Sequence, residues 1–454
     1  MLTPPNSKRT WLFCLCSGVT LFVSGGLMTV FPCGTASGEE TTALLAELSR
    51  PISDAEDLAP LIAQAKDKPF VLLGEASHGT SEFYSWRADI SRILVKEHGF
   101  NYIAVEGDWD ACYELNRYVK DMPGAADNAE DALRAFDRWP PWMWANRDVE
   151  TLVEWLRGYN KDREAKDKVG FYGIDVYGFE GSLRGAVEYL ESLGDEDAAE
   201  AARAVHECLD PYMSHSHAYS RAVHAGIANC ALPAEAVVTL LREQEETLRA
   251  KDEVAWFNAK QHALVVKNAE RHYRVMALRS GNSWNKRVAH FQRTVERLAD
   301  FYGPDAKGIV WAHNTHIGDA RATPMADGGQ HNIGQLLRVK HGDHNVYAVG
   351  FGTHRGAVLA GRSWGGAMER MPTPLAMPGS LEDMLYQTGH DVQLLLLDRS
   401  LMDGVLGAPL PHRAIGVTYD PAAEHRNYVP TVLPQRYDAF IFIAETTPLD
   451  PIHE

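Results

Sequence analysis

Short apolar runs alternate with longer amphipathic stretches along most of the chain, and this alternation predicts the fold. Between most of the runs lie helical patterns such as SEFYSWRADISRILVKEHG. Strands that alternate with helices in this way favour an α/β fold, with a largely parallel central sheet flanked by helices. The runs are rich in β-branched or aromatic residues, as expected of buried strands: FVLLGE, YIAVE, VGFYGID, GIVWAH, VYAVGF, VQLLLLD and AFIFIAE.

One stretch departs from this alternation. Residues 195–292 show long helical periods without a strand candidate, as in AEAVVTLLREQEETLRAKDE. We predict an all-helical insertion here, within a single α/β catalytic domain that covers residues 39–454. A helical bundle beside the strand ends would form one wall of a substrate cleft.

The first 38 residues have the composition of an export segment. Lys8 and Arg9 precede an apolar run at 11–31, and small residues surround Ala36. Two interpretations stay open: a signal peptide that is cleaved, or a membrane anchor, since the apolar run is long enough to span a bilayer. Either one predicts an exported protein, periplasmic or secreted, without membrane contact beyond that anchor.

Charge and cysteine content narrow the function classes. The chain has 44 Lys and Arg against 61 Asp and Glu, a formal charge of −17, which would repel nucleic acid. Beyond the export segment, Cys208 and Cys230 lie in one helical region and could pair in an oxidising compartment, which leaves Cys112 alone. No Cys/His spacing typical of zinc is present, so neither a metal nor a cofactor is predicted.

Ionisable residues end four of the predicted strands: Glu75, Glu106, Asp175 and His313. In open α/β sheets ligands bind outside the carboxyl ends of the strands, so these side chains are expected to converge on one crevice. For any one strand, a polar residue that meets solvent is the simpler explanation. Four together favour a functional site.

The first strand end continues as LGEASHGTSEF, which holds Glu75 close to His78. A carboxylate beside an imidazole orients the ring and stabilises its protonated form, as a general base requires. Arg87 lies on the following helix and reaches the same place only if that face packs inward. His316 follows His313 in VWAHNTHIGDARAT, and His313 is the better candidate because it stands at the strand end.

These stretches resemble the erythromycin esterase family. The similarity runs in family order from GEASHGT through YIAVEGDWDACYELNRY and FYGIDVYGF to WAHNTHIGDARAT. The resemblance implies metal-independent ester hydrolysis, in some members the opening of a macrolide lactone that gives antibiotic resistance, with water activated by His78. It also implies catalytic roles for Glu75, Arg87, Glu106 and His313, and a small-molecule ester as the partner.

Further residues are predicted to contact substrate rather than to catalyse: His316, Arg287, Asp175 and Trp109. The family commonly has Asp after the Arg of its NxRD element, whereas this chain has Val288, which leaves Arg287 without an adjacent carboxylate. The tryptophans of RWPPWMWANRD could form an apolar wall for a large substrate or pack in the core. The oligomeric state is not indicated by the sequence.

Three alternatives stay open at this point. A serine nucleophile is disfavoured because no GxSxG element is present and Ser77 is adjacent to His78 in sequence. A metal-dependent hydrolase could use the same His and Glu side chains as ligands. An exported protein that binds haem, a metal or another small ligand could do so as well.

Overall fold

The computed structural model describes residues 38–213, 216–278 and 282–452. The predicted export segment lies outside these residues, except for Gly38. Within the described part of the chain, no helix is both long enough and apolar enough to cross a membrane.

The predicted α/β fold is confirmed. A nine-stranded sheet has the order β1-β8-β11-β6-β2-β5-β3-β4, with β7 paired to β6, and β9 pairs with β10 separately. The six strands from β11 to β4 in that order run parallel to their neighbours. The strands of the described residues are β1 (Ser49–Pro51), β2 (Phe70–Leu73), β3 (Tyr102–Val105), β4 (Gly170–Gly173), β5 (Gly308–Trp311), β6 (Val346–Gly361), β7 (Met368–Thr373), β8 (Val392–Leu396), β9 (Leu410–Arg413), β10 (Tyr428–Thr431) and β11 (Ala439–Thr446).

Helices cover both faces of the sheet, and short 3₁₀ turns complete the connections. They are α1 (Gly38–Leu48), α2 (Ala59–Ala65), α3 (Ser81–His98), α4 (Trp109–Val119), α5 (Ala129–Leu133), α6 (Arg147–Asn160), α7 (Phe179–Ser192), α8 (Glu196–Leu209), α9 (Ser216–His224), α10 (Ala231–Glu243), α11 (Glu245–Lys251), α12 (Glu253–Leu278), α13 (Ser283–Tyr302), α14 (Asn314–Ile317), α15 (Ile333–His341), α16 (Leu381–Tyr386) and α17 (Leu433–Arg436).

Between β4 and β5 the described residues contain helices α7 to α13, connected by turns and loops, and no strand. The helical pattern of residues 195–292 falls within this region, which begins earlier, at Phe179, and ends later, at Tyr302; that these residues form an insertion stays a prediction. A disulfide joins Cys208, in the last turn of α8, to Cys230, which caps α10, with a Cα–Cα distance of 5.8 Å. Cys112 is free and buried.

The central strands bury both of their faces, which explains their continuous apolar runs. In β2, Leu72 belongs to the core that includes α12 and α13, whereas Val71 and Leu73 belong to the core that includes α3 and α6. Successive residues of a strand point to opposite faces, so each apolar run contributes to two cores.

The register of these strands brings their carboxyl ends into one row. Leu73 pairs with Trp311, Trp311 with Val105, and Val105 with Gly173. The ionisable residue of each strand follows one or two positions after this row. The sheet therefore delivers these four side chains to one edge, as the sequence predicts.

Candidate active site

A group of side chains at this edge forms two hydrogen-bonded and ion-paired networks that meet where the His78 and His313 rings are in contact, and we call the whole group the strand-end cluster. Its members are all buried, with at most 8% of any residue exposed. They are Glu75, His78, Arg87, Glu106, Asp175, Arg287, His313 and His316.

Glu75 links an imidazole to a guanidinium. Its Oε1 accepts a hydrogen bond of 2.8 Å from His78 Nδ1, and its Oε2 accepts one of 2.8 Å from Arg87 Nη2. Because Nδ1 of His78 donates to the carboxylate, Nε2 is the nitrogen that can accept a proton. Gly74 is required beside this carboxylate, since a Cβ there would lie 2.1 Å from Asn314 Oδ1.

Arg87 lies on the face of α3 that packs inward, which is the arrangement that it needs to reach the site. Its guanidinium lies 4.2 Å from the ring centroid of Tyr84 and 4.5 Å from that of Trp311, and the residue has no exposed surface. These ring contacts hold the Arg87 guanidinium in place, and its hydrogen bond in turn fixes the Glu75 carboxylate. Nη1 of Arg87 makes no hydrogen bond within the described residues, and the catalytic role of Arg87 stays a prediction.

His313 is held in one tautomer by the turn that it caps. Its Nδ1 accepts a hydrogen bond of 3.2 Å from the backbone N–H of Thr315 and lies 2.8 Å from the Thr315 hydroxyl. The proton of the neutral ring is therefore on Nε2, which makes no full hydrogen bond among the described residues, although the ring interacts with the backbone of Ala76. The His313 and His78 rings lie 4.9 Å apart, centroid to centroid.

Glu106 is the centre of the other half of the cluster. Its Oε2 accepts a hydrogen bond of 3.0 Å from the backbone N–H of His313. Its Oε1 lies 2.8 Å from Arg287 Nη2 and 3.1 Å from His316 Nε2. Glu106 therefore holds the strand end of β5 and the N-terminal part of α13 together.

Arg287 has carboxylate partners despite Val288. Its Nε and Nη2 donate to the two carboxylate oxygens of Asp175 at 2.9 and 2.6 Å, in addition to Glu106. Asp175, which follows β4, thus takes the place of a neighbouring Asp in the sequence. Arg287 is predicted to contact substrate, and its contacts here show an organising role.

The charges of the cluster set its protonation states. Burial alone would lower the pKa of His78, but the hydrogen bond and charge of Glu75 and the charge of Glu106 outweigh it, and the pKa is raised above 6.5. Burial would raise the pKa of Glu106, but His316, Arg287 and His78 hold it well below its ordinary value. The pKa of His313 is held well below its ordinary value, first by burial and then by the charge of His78.

The pKa of His78 is raised and that of His313 is lowered, so the two neighbouring imidazoles differ in their affinity for a proton. His313 stays neutral and keeps Nε2–H as a hydrogen-bond donor, whereas His78 takes up a proton more readily than an ordinary imidazole. Glu106 stays ionised. An imidazole that accepts a proton, opposite one that donates a hydrogen bond, is an arrangement suited to general base catalysis of an acyl transfer.

Some predicted residues lie elsewhere, and some contacts were missed. Trp109 packs among aromatic rings, stacking on Tyr172 at 5.5 Å, and donates to Asn258 Oδ1. These contacts give it a packing role beside α12, and its predicted contact with substrate stays a prediction. The sequence analysis missed Trp284, which stacks on His316 at 4.5 Å, because no local pattern relates the start of α13 to the strand ends.

Solved structures share this fold. A Bacillus cereus protein superposes with a TM-score of 0.75 at 21% identity, over 92% of this chain and 100% of that chain. A succinoglycan biosynthesis protein gives 0.69 at 21% identity, over 92% and 99%. A mutant of the erythromycin esterase EreC in its open conformation gives 0.64 at 17% identity, over 88% and 98%.

The sequence profile described as Erythromycin esterase matches residues 95–446, which is most of the chain. Together with the fold, this match defines an esterase-like hydrolase. The chain belongs to the erythromycin esterase family, which confirms the resemblance seen in its sequence. The matched segment contains the cluster residues from Glu106 onward, whereas Glu75, His78 and Arg87 precede it.

Proposed function

We propose that this protein is a metal-independent carboxylic ester hydrolase in which His78 activates water. One observation carries the proposal. His78 donates Nδ1–H to the buried Glu75 carboxylate at 2.8 Å, while its ring faces His313 at 4.9 Å. A base oriented by a carboxylate and a neutral donor thus lie side by side, which is the pair of groups that attack of water on an ester carbonyl requires.

In the proposed reaction, Nε2 of His78 removes a proton from water as the water oxygen attacks the carbonyl carbon. Nε2–H of His313 donates to the oxygen that becomes negative. The protonated His78 then gives its proton to the leaving alcohol oxygen as the C–O bond breaks, so that an acid and an alcohol are formed.

The other cluster residues act by positioning in this mechanism. Arg87 holds Glu75, and Glu75 holds the His78 ring. Arg287 and Asp175 hold Glu106, which fixes the backbone of His313 and raises the pKa of His78 through its charge, against the lowering effect of burial. His316 Nε2 lies 3.1 Å from the same Glu106 oxygen that accepts from Arg287, and 3.1 Å from Arg287 Nη1.

The proposed substrate is a neutral ester, and specifically a macrolide lactone, whose opening would give macrolide resistance. Family membership supports the ester class, and the structural similarity to the erythromycin esterase EreC supports the macrolide. We further propose that the protein is exported. The basic and apolar N-terminal segment and the Cys208–Cys230 disulfide support this, since disulfides persist in oxidising compartments.

The geometry disfavours two of the alternatives. A metal ion beside Glu106 and His316 would have to share this position with the Arg287 guanidinium, whose Nη1 lies 3.1 Å from His316 Nε2. Two cations so close would repel one another. A nucleophilic Ser77 would need a base, but its buried hydroxyl contacts the hydroxyl of Thr80.

The test is to incubate the purified protein with a macrolide panel in ¹⁸O-labelled water and to analyse the products by mass spectrometry. We expect a gain of one water with a single ¹⁸O in the new carboxylate, unchanged by a chelator. Activity lost on chelation and restored by one metal would contradict metal independence. Absence of turnover on macrolides and on simple esters, with a haem- or metal-loaded preparation, would favour a binding protein.

A further inference from the structure

An exposed tryptophan lies on the loop that joins β6 to β7. Trp364 has 54% of its surface exposed, and its neighbours in the loop are small or polar residues. Large apolar side chains that stand out from the surface and contact other aromatic rings often mark a place where a ligand binds.

Two aromatic residues from distant parts of the chain contact Trp364. The Trp139 ring lies 4.8 Å from it at an angle of 57°, and the Tyr177 ring lies 6.0 Å from it at 75°. Trp139 Nε1 also donates a 2.8 Å hydrogen bond to the Gly366 carbonyl, which ties the loop to it. We call Trp364, Trp139 and Tyr177 the aromatic wall.

The aromatic wall is continuous with the strand-end cluster. Tyr177 follows Asp175 by two residues, and its ring centroid lies 4.6 Å from the guanidinium of Arg287. The other tryptophans of the same sequence stretch do not belong to the wall. Trp142 and Trp144 are only 1% and 4% exposed, and they pack in the core.

The cations along the aromatic wall are already neutralised. Arg287 is paired with Asp175, and Arg138, which lies 5.5 Å from the Tyr177 ring, is paired with Asp108. The wall therefore offers apolar ring faces and edges without an unpaired cation among these neighbours. Such a surface suits a neutral apolar group better than a charged one.

We infer that the aromatic wall binds the non-reacting part of the ester substrate, a large neutral group with a saturated ring face, and that Trp364 determines specificity for it. This inference rests on the proposed function, because it places the reacting carbonyl at the strand-end cluster. The rings meet at steep angles, so they form a broad surface rather than a narrow slot for a flat molecule.

The test compares Trp364→Ala with the wild-type protein on erythromycin and on 4-nitrophenyl acetate, which lacks the large ring. We expect the ratio of the two kcat/KM values to fall at least about tenfold, mainly through a higher KM for erythromycin. Trp155→Ala is the matched control, since Trp155 is a partly exposed tryptophan that stacks on Tyr159 in α6. It should leave the ratio within about twofold.

Calorimetric titration with erythromycin separates this inference from the proposed function. A Kd that rises about tenfold in Trp364→Ala supports the aromatic wall even if neither compound is hydrolysed. An unchanged Kd and an unchanged ratio would overturn it, as would a wild-type protein that does not bind erythromycin. Absence of hydrolysis with intact, Trp364-dependent binding would count against the proposed function alone.

Discussion

Replacing Arg287 with Met should destabilise the protein by about 3 kcal/mol. Arg287 donates twice to Asp175, at 2.9 and 2.6 Å, and once to Glu106, at 2.8 Å, and all three side chains are buried. Met has a similar length but no charge, so both carboxylates lose their cation in a desolvated place. Removing one partner of a buried ion pair costs about 3–5 kcal/mol. We expect the lower end, because His316 still contacts Glu106.

Urea unfolding of the wild-type protein, Arg287→Met, Asp175→Asn and the double variant measures this directly. Since Asp175→Asn removes the charge that Arg287 neutralises, the double variant should lose at least about 1 kcal/mol less than the sum of the single losses. Arg362→Met is the control, because Arg362 pairs with Glu369 at the surface and should cost at most about 1 kcal/mol. A loss below about 1 kcal/mol for Arg287→Met, or strict additivity, would refute the reasoning.

Three further changes have defined outcomes. The charge of Glu75 raises the pKa of His78 against the lowering effect of burial, and His78 acts as a base only when it is unprotonated. Glu75→Gln should therefore lower the pKa of His78 and move the acid limb of the pH profile of kcat/KM to lower pH. An acid limb that moves to higher pH would contradict this. If Nε2–H of His313 stabilises the oxyanion, His313→Ala should lower kcat about 10² to 10³-fold with a small change in KM. An unchanged kcat in steady-state kinetics would exclude this role of His313 as oxyanion donor. Cys208→Ser should destabilise the protein by about 2–4 kcal/mol, since the disulfide with Cys230 closes a loop in the unfolded chain; a melting temperature equal to that of the wild type would contradict it.

The central strands could be predicted because burial on both faces leaves a continuous apolar run in the sequence. All seven runs coincide with strands of the main sheet. The strands that were missed have another composition. β7 contains Glu, Arg and Pro, and β9 contains Pro, His and Arg, because these strands pair at the margin or hold buried polar contacts. His412 of β9, for example, pairs with the buried Glu382.

The site could be predicted in part for a similar reason. Strand ends follow from the apolar runs, so the convergence of Glu75, Glu106, Asp175 and His313 follows from the parallel sheet. The partners of Arg287 could not be predicted, since α13 meets the strand ends only through tertiary packing over 112 residues. Trp364 was missed because its contacts come from two loops that are remote in sequence.

The central claim is that His78 is the general base, and its most direct test is the turnover of His78→Ala on an ester that the wild-type protein hydrolyses. The variant should keep the wild-type circular dichroism spectrum and substrate affinity. We predict that kcat falls about 10² to 10⁴-fold. A folded His78→Ala protein with the wild-type kcat would contradict the account.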